Sequence, residues 1–201
     1  MRYPGNFRFY PEEKRDIALA LLILTFAFYI LISRYLLFHG IINLLDLLTA
    51  FLAVLIAFFL HEMAHKYVAF KYGYPAAFRA WKMGLLIAFL SSFMGFLFAA
   101  PGAVYVYGFP SKDENGKISA AGPITNIIAG FSLLGAAFIM PFHYLFAMFA
   151  YIASLNFFLA FFNLLPIGPM DGVKILNWNI YIYIVLLMLS IAGFASFYIF
   201  I

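Results

Sequence analysis

Apolar residues fill this chain in long runs; they do not recur along one side of a helix or on alternate positions of a strand. A run of about 17 to 25 such residues is what a helix needs to cross a bilayer. The first extends from Ile17 to Leu37, with Arg34 near its far end placed to reach an interface. A short loop with Gly40 and Asp46 leads into Leu44–Leu60, which continues as HEMAHKYVAFKYG to Gly73. Tyr74–Met83 carries Arg79, Trp81 and Lys82, a set suited to a membrane surface. Gly84–Ala100 is apolar again and stops at Pro101-Gly102, after which AVYVYG has strand character. Ser111–Lys117, SKDENGK, is the most polar interval and reads as a solvated loop. Two more spans, Ile118–Met140 and Tyr144–Leu165, meet at a tight turn around Pro141. PIGPMDG then breaks the helical pattern, and Ile180–Ile201 is the last span. No internal repeat or low-complexity linker divides the chain. The pattern predicts an all-α polytopic membrane protein, a single membrane-embedded domain over residues 1–201. It should have about five to six transmembrane helices and a re-entrant or short β segment near 84–108.

Composition agrees. The 201 residues are 67% hydrophobic and 10% charged, where a soluble chain is about half apolar and about a quarter charged. That excludes a soluble globular domain, and the polar intervals are too short for an appended one. The net charge of +4 reads as topology marking beside the spans. No basic run with interleaved exposed aromatics is present, so nucleic acid is not an expected partner. With no cysteine, disulfides, thiolate metal sites and cysteine nucleophiles are all excluded. Arg2, Arg8, Lys14 and Arg15 precede an apolar run as in a signal peptide, but no small-residue cleavage site follows Ile17–Ile32, so a retained anchor is expected.

One motif carries chemistry. His61-Glu62-Met63-Ala64-His65 is H-E-x-x-H. On a helix, the imidazoles at i and i+4 share a face and can bind one metal, with the glutamate beside them placed to handle protons. Three ionisable residues inside one hydrophobic span are costly and mark function. A catalytic zinc takes three protein ligands as a rule, and without cysteine the third must be His, Asp or Glu. Glu12, Glu13 and Asp16 sit in the charged N-terminal tail, and Asp46 lies roughly 22 Å from His61 along the helix. Asp113 and Glu114 fall in the solvated SKDENGK interval. Asp171 remains, in a broken helix of the kind tolerated where backbone lines a protein cavity; its other reading is an N-cap or turn residue. His39 and His143 read as loop residues.

Topology offers a check. If the N-terminus is cytoplasmic and Gly84–Gly108 dips in and returns, His65, SKDENGK and Asp171 face one side. Eleven cations (Arg2, Arg8, Lys14, Arg15, Lys66, Lys71, Arg79, Lys82, Lys112, Lys117 and Lys174) are then cytoplasmic, against Arg34 alone outside. A full crossing would strand Asp171 on the wrong face and weaken the positive-inside bias. The chain is therefore expected to be a multi-pass protein of the cell membrane with its N-terminus in the cytoplasm.

HEMAH in one span and NLLPIGPMDG after another resemble the site-2 protease family of intramembrane zinc metalloproteases. AGPITN, from Ala121 to Asn126, is similar to the small-residue start of that family's intervening core helix. The resemblance covers roughly residues 44 to 178. It implies one Zn2+ per chain on His61, His65 and Asp171, with Glu62 as general base. It also implies that Asn163, eight residues before Asp171, helps hold the substrate carbonyl or its oxyanion. Pro169-Met170-Asp171-Gly172 departs modestly from the family's N-P-D-G. The implied activity is hydrolysis of peptide bonds within transmembrane helices of membrane-protein substrates, near the cytoplasmic face of the bilayer. Asn126 and Ser119 read as packing or capping residues, and AVYVYG as either a structural hairpin or an edge that pairs with unwound substrate. Membrane H-E-x-x-H proteases of the prenyl-protein or heat-shock type take a helical glutamate as third ligand, and no Glu here qualifies. The alternative from another class is a metal transporter or non-catalytic binding protein on the same scaffold.

Overall fold

The computed structural model describes residues 7–98 and 100–200. Arg2, residue 99 of the Gly84–Ala100 stretch and the last residue of Ile180–Ile201 lie outside the described residues. The molecule is an all-α membrane protein with one small sheet. Helix α1 (Pro11–Ile32) is followed by the short α2 (Arg34–Phe38). Helix α3 (Leu44–Ala53), a π-helical stretch (Val54–Phe59) and α4 (Leu60–Lys71) run on as one 28-residue rod. Strand β1 (Ala76–Ala80) precedes α5 (Lys82–Phe93) and strand β2 (Gly102–Val106). Helices α6 (Lys112–Phe138), α7 (His143–Asn163), α8 (Asp171–Trp178) and α9 (Ile180–Phe200) complete the chain.

Among the described residues, α1, the α3–α4 rod, α6 and α7 are long and apolar enough to cross a membrane. Helix α5 is not. Its 12 residues rise about 18 Å, against a hydrocarbon core of about 30 Å. The chain leaves the sheet at Ala80 and rejoins it at Gly102, its antiparallel partner, so α5 belongs to an excursion that returns to its starting point. Many large apolar side chains on the long helices face outward, Leu22, Phe26, Leu48 and Ile128 among them, as lipid contact requires.

Several boundaries differ from the hydropathy reading. Helix α1 starts at Pro11, because a proline suits the first helical turn and Glu13 reaches back to accept from the Tyr10 amide at 3.2 Å. Glu12, Glu13 and Asp16 are therefore helical residues, not tail. Likewise SKDENGK is no loop: Ser111 and Glu114 form a capping box, and Lys112–Lys117 is the first turn and a half of α6. Strand β1 falls in the interval assigned to the membrane surface. Its Ala-Ala-Phe-Arg-Ala has little strand propensity, and pairing with β2 decides its conformation.

Two apolar cores flank the middle of the molecule. One joins Ala20 and Leu24 of α1 to Val54, Phe78, Leu85 and Ala88. The other joins Ala120 and Ile127 of α6 to Ala160, Leu164, Ile175 and Leu186. Helix α4 runs between them, against α6 on one side and the sheet on the other. The first half of α6 buries Gly116, Ser119, Ala120, Ala121 and Gly122, small residues that let two backbones approach closely.

Candidate metal centre

His61, Glu62 and His65 occupy the first turns of α4, all buried. One helical turn separates the two imidazoles, whose Nε2 atoms come to 3.0 Å of each other. Asp171 arrives from elsewhere in the chain. After Asn163 the backbone turns through Pro166, Gly168 and Pro169 and restarts as α8 with Asp171 as its first residue. A Cβ on Gly172 would strike the backbone carbonyl of Leu164, so glycine lets this turn close onto the end of α7. The Asp171 Oδ2 then lies 3.1 Å from His65 Nε2 and 3.4 Å from His61 Nε2. Among the described residues, these three form the group whose ligand atoms converge for a metal ion, all within 4.8 Å of one another.

The hydrogen bonds around the imidazoles test the fit. His65 Nδ1 lies 2.8 Å from the carbonyl of Ile118, which can only accept, so Nδ1 carries the proton. The Asn126 amide donates to the carbonyl of Ala57 at 2.9 Å, which turns its Oδ1 towards His61 Nδ1, also at 2.9 Å, and that nitrogen donates too. As neutral imidazoles, the state in which histidine binds a metal, both then turn Nε2 lone pairs towards each other and towards a carboxylate. Three acceptors with no proton between them repel unless a cation sits among them. Their separations match the edge of a tetrahedral zinc site, about 3.3 Å for bonds of about 2.0 to 2.1 Å. Gly122 completes the cradle, because a Cβ there would overlap the Nε2 atoms of both histidines. The residues present fit a divalent ion.

Glu62 is not among the three. Its Oε2 accepts the backbone N–H of Val104 on β2 at 2.9 Å, which holds the carboxylate beside the centre and free of its ligand set. Asn163, the last residue of α7, donates from Nδ2 to the Leu159 carbonyl of its own helix at 2.9 Å. His39 caps α2 and His143 opens α7, and neither joins the metal group.

Sequence reasoning passed over two contributors. Asn126 orients a ligand instead of merely packing, and Gly122 supplies a close approach. The clue was the run of small residues with a proline, Ala121-Gly122-Pro123, inside a helix that also carries an asparagine. The π-helical stretch just before His61 was not legible at all. Its widened turn bonds the Leu60 amide to Leu55 and contains the Ala57 carbonyl that fixes Asn126.

Fold and site together define an all-α membrane protein with a buried His-His-Asp group that could hold a metal ion. Over 180 residues the chain is 37% identical to a protein of Methanocaldococcus jannaschii named "Putative zinc metalloprotease MJ0611", covering 88% of this chain and 90% of that one. Over 145 residues it is 31% identical to "Putative zinc metalloprotease YwhC" of Bacillus subtilis, covering 63% and 66%. This chain belongs to the zinc metalloprotease family of these relatives. No family model and no solved structure matches it.

Proposed function

We propose that this chain is an intramembrane zinc metalloprotease of the site-2 protease type. It hydrolyses peptide bonds within transmembrane helices of other membrane proteins, near the cytoplasmic face. One observation carries the reading: three converging ligand groups and a separate glutamate lie buried between apolar helices, beside the outer edge of a strand. His61, His65 and Asp171 hold the ion. Bound zinc supplies polarisation of the scissile carbonyl and acidifies a water. Glu62 takes the proton from the attacking water and returns it to the leaving amine. The Asn163 amide has a second N–H beyond the one given to Leu159, and it donates to the oxygen that becomes negative.

A peptide bond inside a helix is shielded, so the substrate must unwind before attack. An unwound segment is extended, and the outer edge of β2 offers it the Val104 amide by strand addition. His61 is the eighteenth residue from Leu44, about 26 Å along the rod and most of the way across a core of about 30 Å. With the N-terminus and Ser111–Lys117 in the cytoplasm, the cut falls in the cytoplasmic half of the substrate helix.

Purified protein, loaded with zinc in vesicles with a tagged membrane-spanning substrate, should cut that substrate once in its cytoplasmic half and stop on chelation. Zinc flux without cleavage would favour a transporter and overturn the reading. A cysteine placed at Asn115 tests orientation, since the chain has no native one; labelling from outside intact cells would overturn the topology.

A further inference from the structure

Glu13 has no role in the proposed chemistry, yet it is completely buried, at 0% exposure. Its two oxygens each lie 2.6 Å from Lys66 Nζ. Oε1 also accepts the backbone N–H of Phe78 on β1 at 3.1 Å, and Oε2 that of Tyr10 at 3.2 Å. Lys66, the residue after His65, is 3% exposed. It also donates to the Arg8 carbonyl at 2.8 Å and sits 4.3 Å over the Phe9 ring.

The sheet explains what these contacts join. Phe78 pairs with Val104 across the two strands. Flanking bonds run from Tyr107 to Pro75 and from Trp81 to Pro101. Bonded and non-bonded pairs alternate in an antiparallel ladder, so the amides of Phe78 and Val104 both point out of the sheet, in opposite directions. One meets Glu13 and the other meets Glu62. Glu62 and Lys66 are four residues apart on α4, hence on one face. The contacts therefore close a ring: Glu62, Val104, Phe78, Glu13, Lys66 and back along the metal-binding helix.

We propose that Glu13 is a positioning residue. It clamps the outer edge of β1 to α4 and thereby fixes where the outer edge of β2 lies over His61 and His65. With a substrate segment paired to that edge, the clamp sets which peptide bond reaches the centre. This inference rests on the protease reading given above.

Two neutral double variants isolate the clamp. Glu13→Gln with Lys66→Gln removes both charges but keeps a side-chain oxygen for the Phe78 amide and, on α4, an amide donor to reach that oxygen. Glu13→Leu with Lys66→Met removes that acceptor as well. Two measurements follow: amide hydrogen exchange of residues 76–80 and 102–106 in metal-free protein, and mass spectrometry of the cleavage products. The Gln variant should keep slow exchange and the single wild-type cut. The Leu variant should exchange at least about tenfold faster over 76–80 and spread its cuts over neighbouring bonds. A role confined to stability would lower yield without moving the cut. A single unmoved cut in the Leu variant, at wild-type or faster exchange, would overturn the proposal. Should that variant fail to fold, Glu13→Asp keeps both charges one methylene shorter. It should displace the cut, and an unmoved cut with wild-type exchange would overturn the proposal. If the wild-type protein cuts no membrane-spanning substrate, the protease reading fails, and the exchange comparison still decides whether Glu13 holds the sheet.

Discussion

The two outer edges of the β1–β2 sheet each present one amide to a buried glutamate, and the two glutamates live in different surroundings. On the β1 side, Glu13 has an ammonium within 2.6 Å of both oxygens and two backbone amides besides. Every lone-pair direction is occupied, and the group is fixed. On the β2 side, Glu62 has one amide at 2.9 Å and, among the described residues, no ion pair with a lysine or arginine. Beyond that amide it faces the His-His-Asp group. A carboxylate saturated with donors makes a joint, whereas one left with spare acceptor capacity next to a metal site can receive a proton. The same residue type, within one small sheet, is divided between architecture and chemistry by its donors.

The largest effects should divide along this line. Glu62→Gln should cut the cleavage rate by about a thousandfold, within the range lost with a general base, while zinc content and melting temperature hold. Lys66→Met should do the reverse. It strands the buried Glu13 carboxylate, at a cost of about 3 to 5 kcal/mol of stability, read from denaturant unfolding in detergent. A Glu62→Gln protein that cleaves at the wild-type rate would remove the distinction between the two edges.

Next in size is the effect at the cradle. Gly122→Ala places a methyl group on the Nε2 atoms of His61 and His65, rings that their Nδ1 hydrogen bonds to Asn126 and Ile118 hold in place. Zinc content measured by atomic absorption should fall from one per chain to near none, with helicity retained. Asn126→Ala should act more gently. The His61 ring stays in place but loses the acceptor that fixes its tautomer, and zinc affinity should weaken by about 10- to 100-fold, as for other outer-shell partners. Competition with a chelating dye would measure it, and unchanged affinity would reduce Asn126 to packing.

These residues also mark how far the sequence could be read. H-E-x-x-H spacing and the scarcity of acids in apolar surroundings were enough to bring His61, His65 and Asp171 together, because burying a charge is costly enough to leave few candidates. Asn126 and Glu13 escaped for opposite reasons. An asparagine in a small-residue helix is ambiguous until its rotamer is known, and here the π-helical carbonyl of Ala57 selects it. Glu13 looked like one of several charges in a polar tail, and its burial depends on Lys66, Arg8 and Phe78, partners far away in sequence. Strand β1 was hidden for the same reason, since its conformation is imposed by a partner 26 residues on in the register Phe78↔Val104. Local pattern marked the long apolar helices, and long-range pairing made the contacts around Glu13.

The smallest expected effect sharpens the comparison most. Val104→Pro deletes the outward amide of β2 and nothing else in the ladder, because the bonded pairs lie at the neighbouring residues, and a proline is tolerated where a strand's N–H faces away from its partner. Stability should change little. In the substrate-free protein the lost bond belongs to Glu62, but an extended substrate paired to the edge would take the same amide for its own carbonyl and leave Glu62 free to meet the water. Removing the amide should then cost substrate binding and spare the chemical step. KM should rise about tenfold, equivalent to about 1.4 kcal/mol, with kcat within about twofold of wild type, a split that marks an interaction made equally in ground and transition states. Steady-state cleavage in vesicles of fixed lipid composition, with substrate varied as its fraction of the membrane, gives both constants. An unchanged KM with a lowered kcat would instead mean that the amide serves Glu62 throughout the reaction, and that the β2 edge is as closed to substrate as the β1 edge.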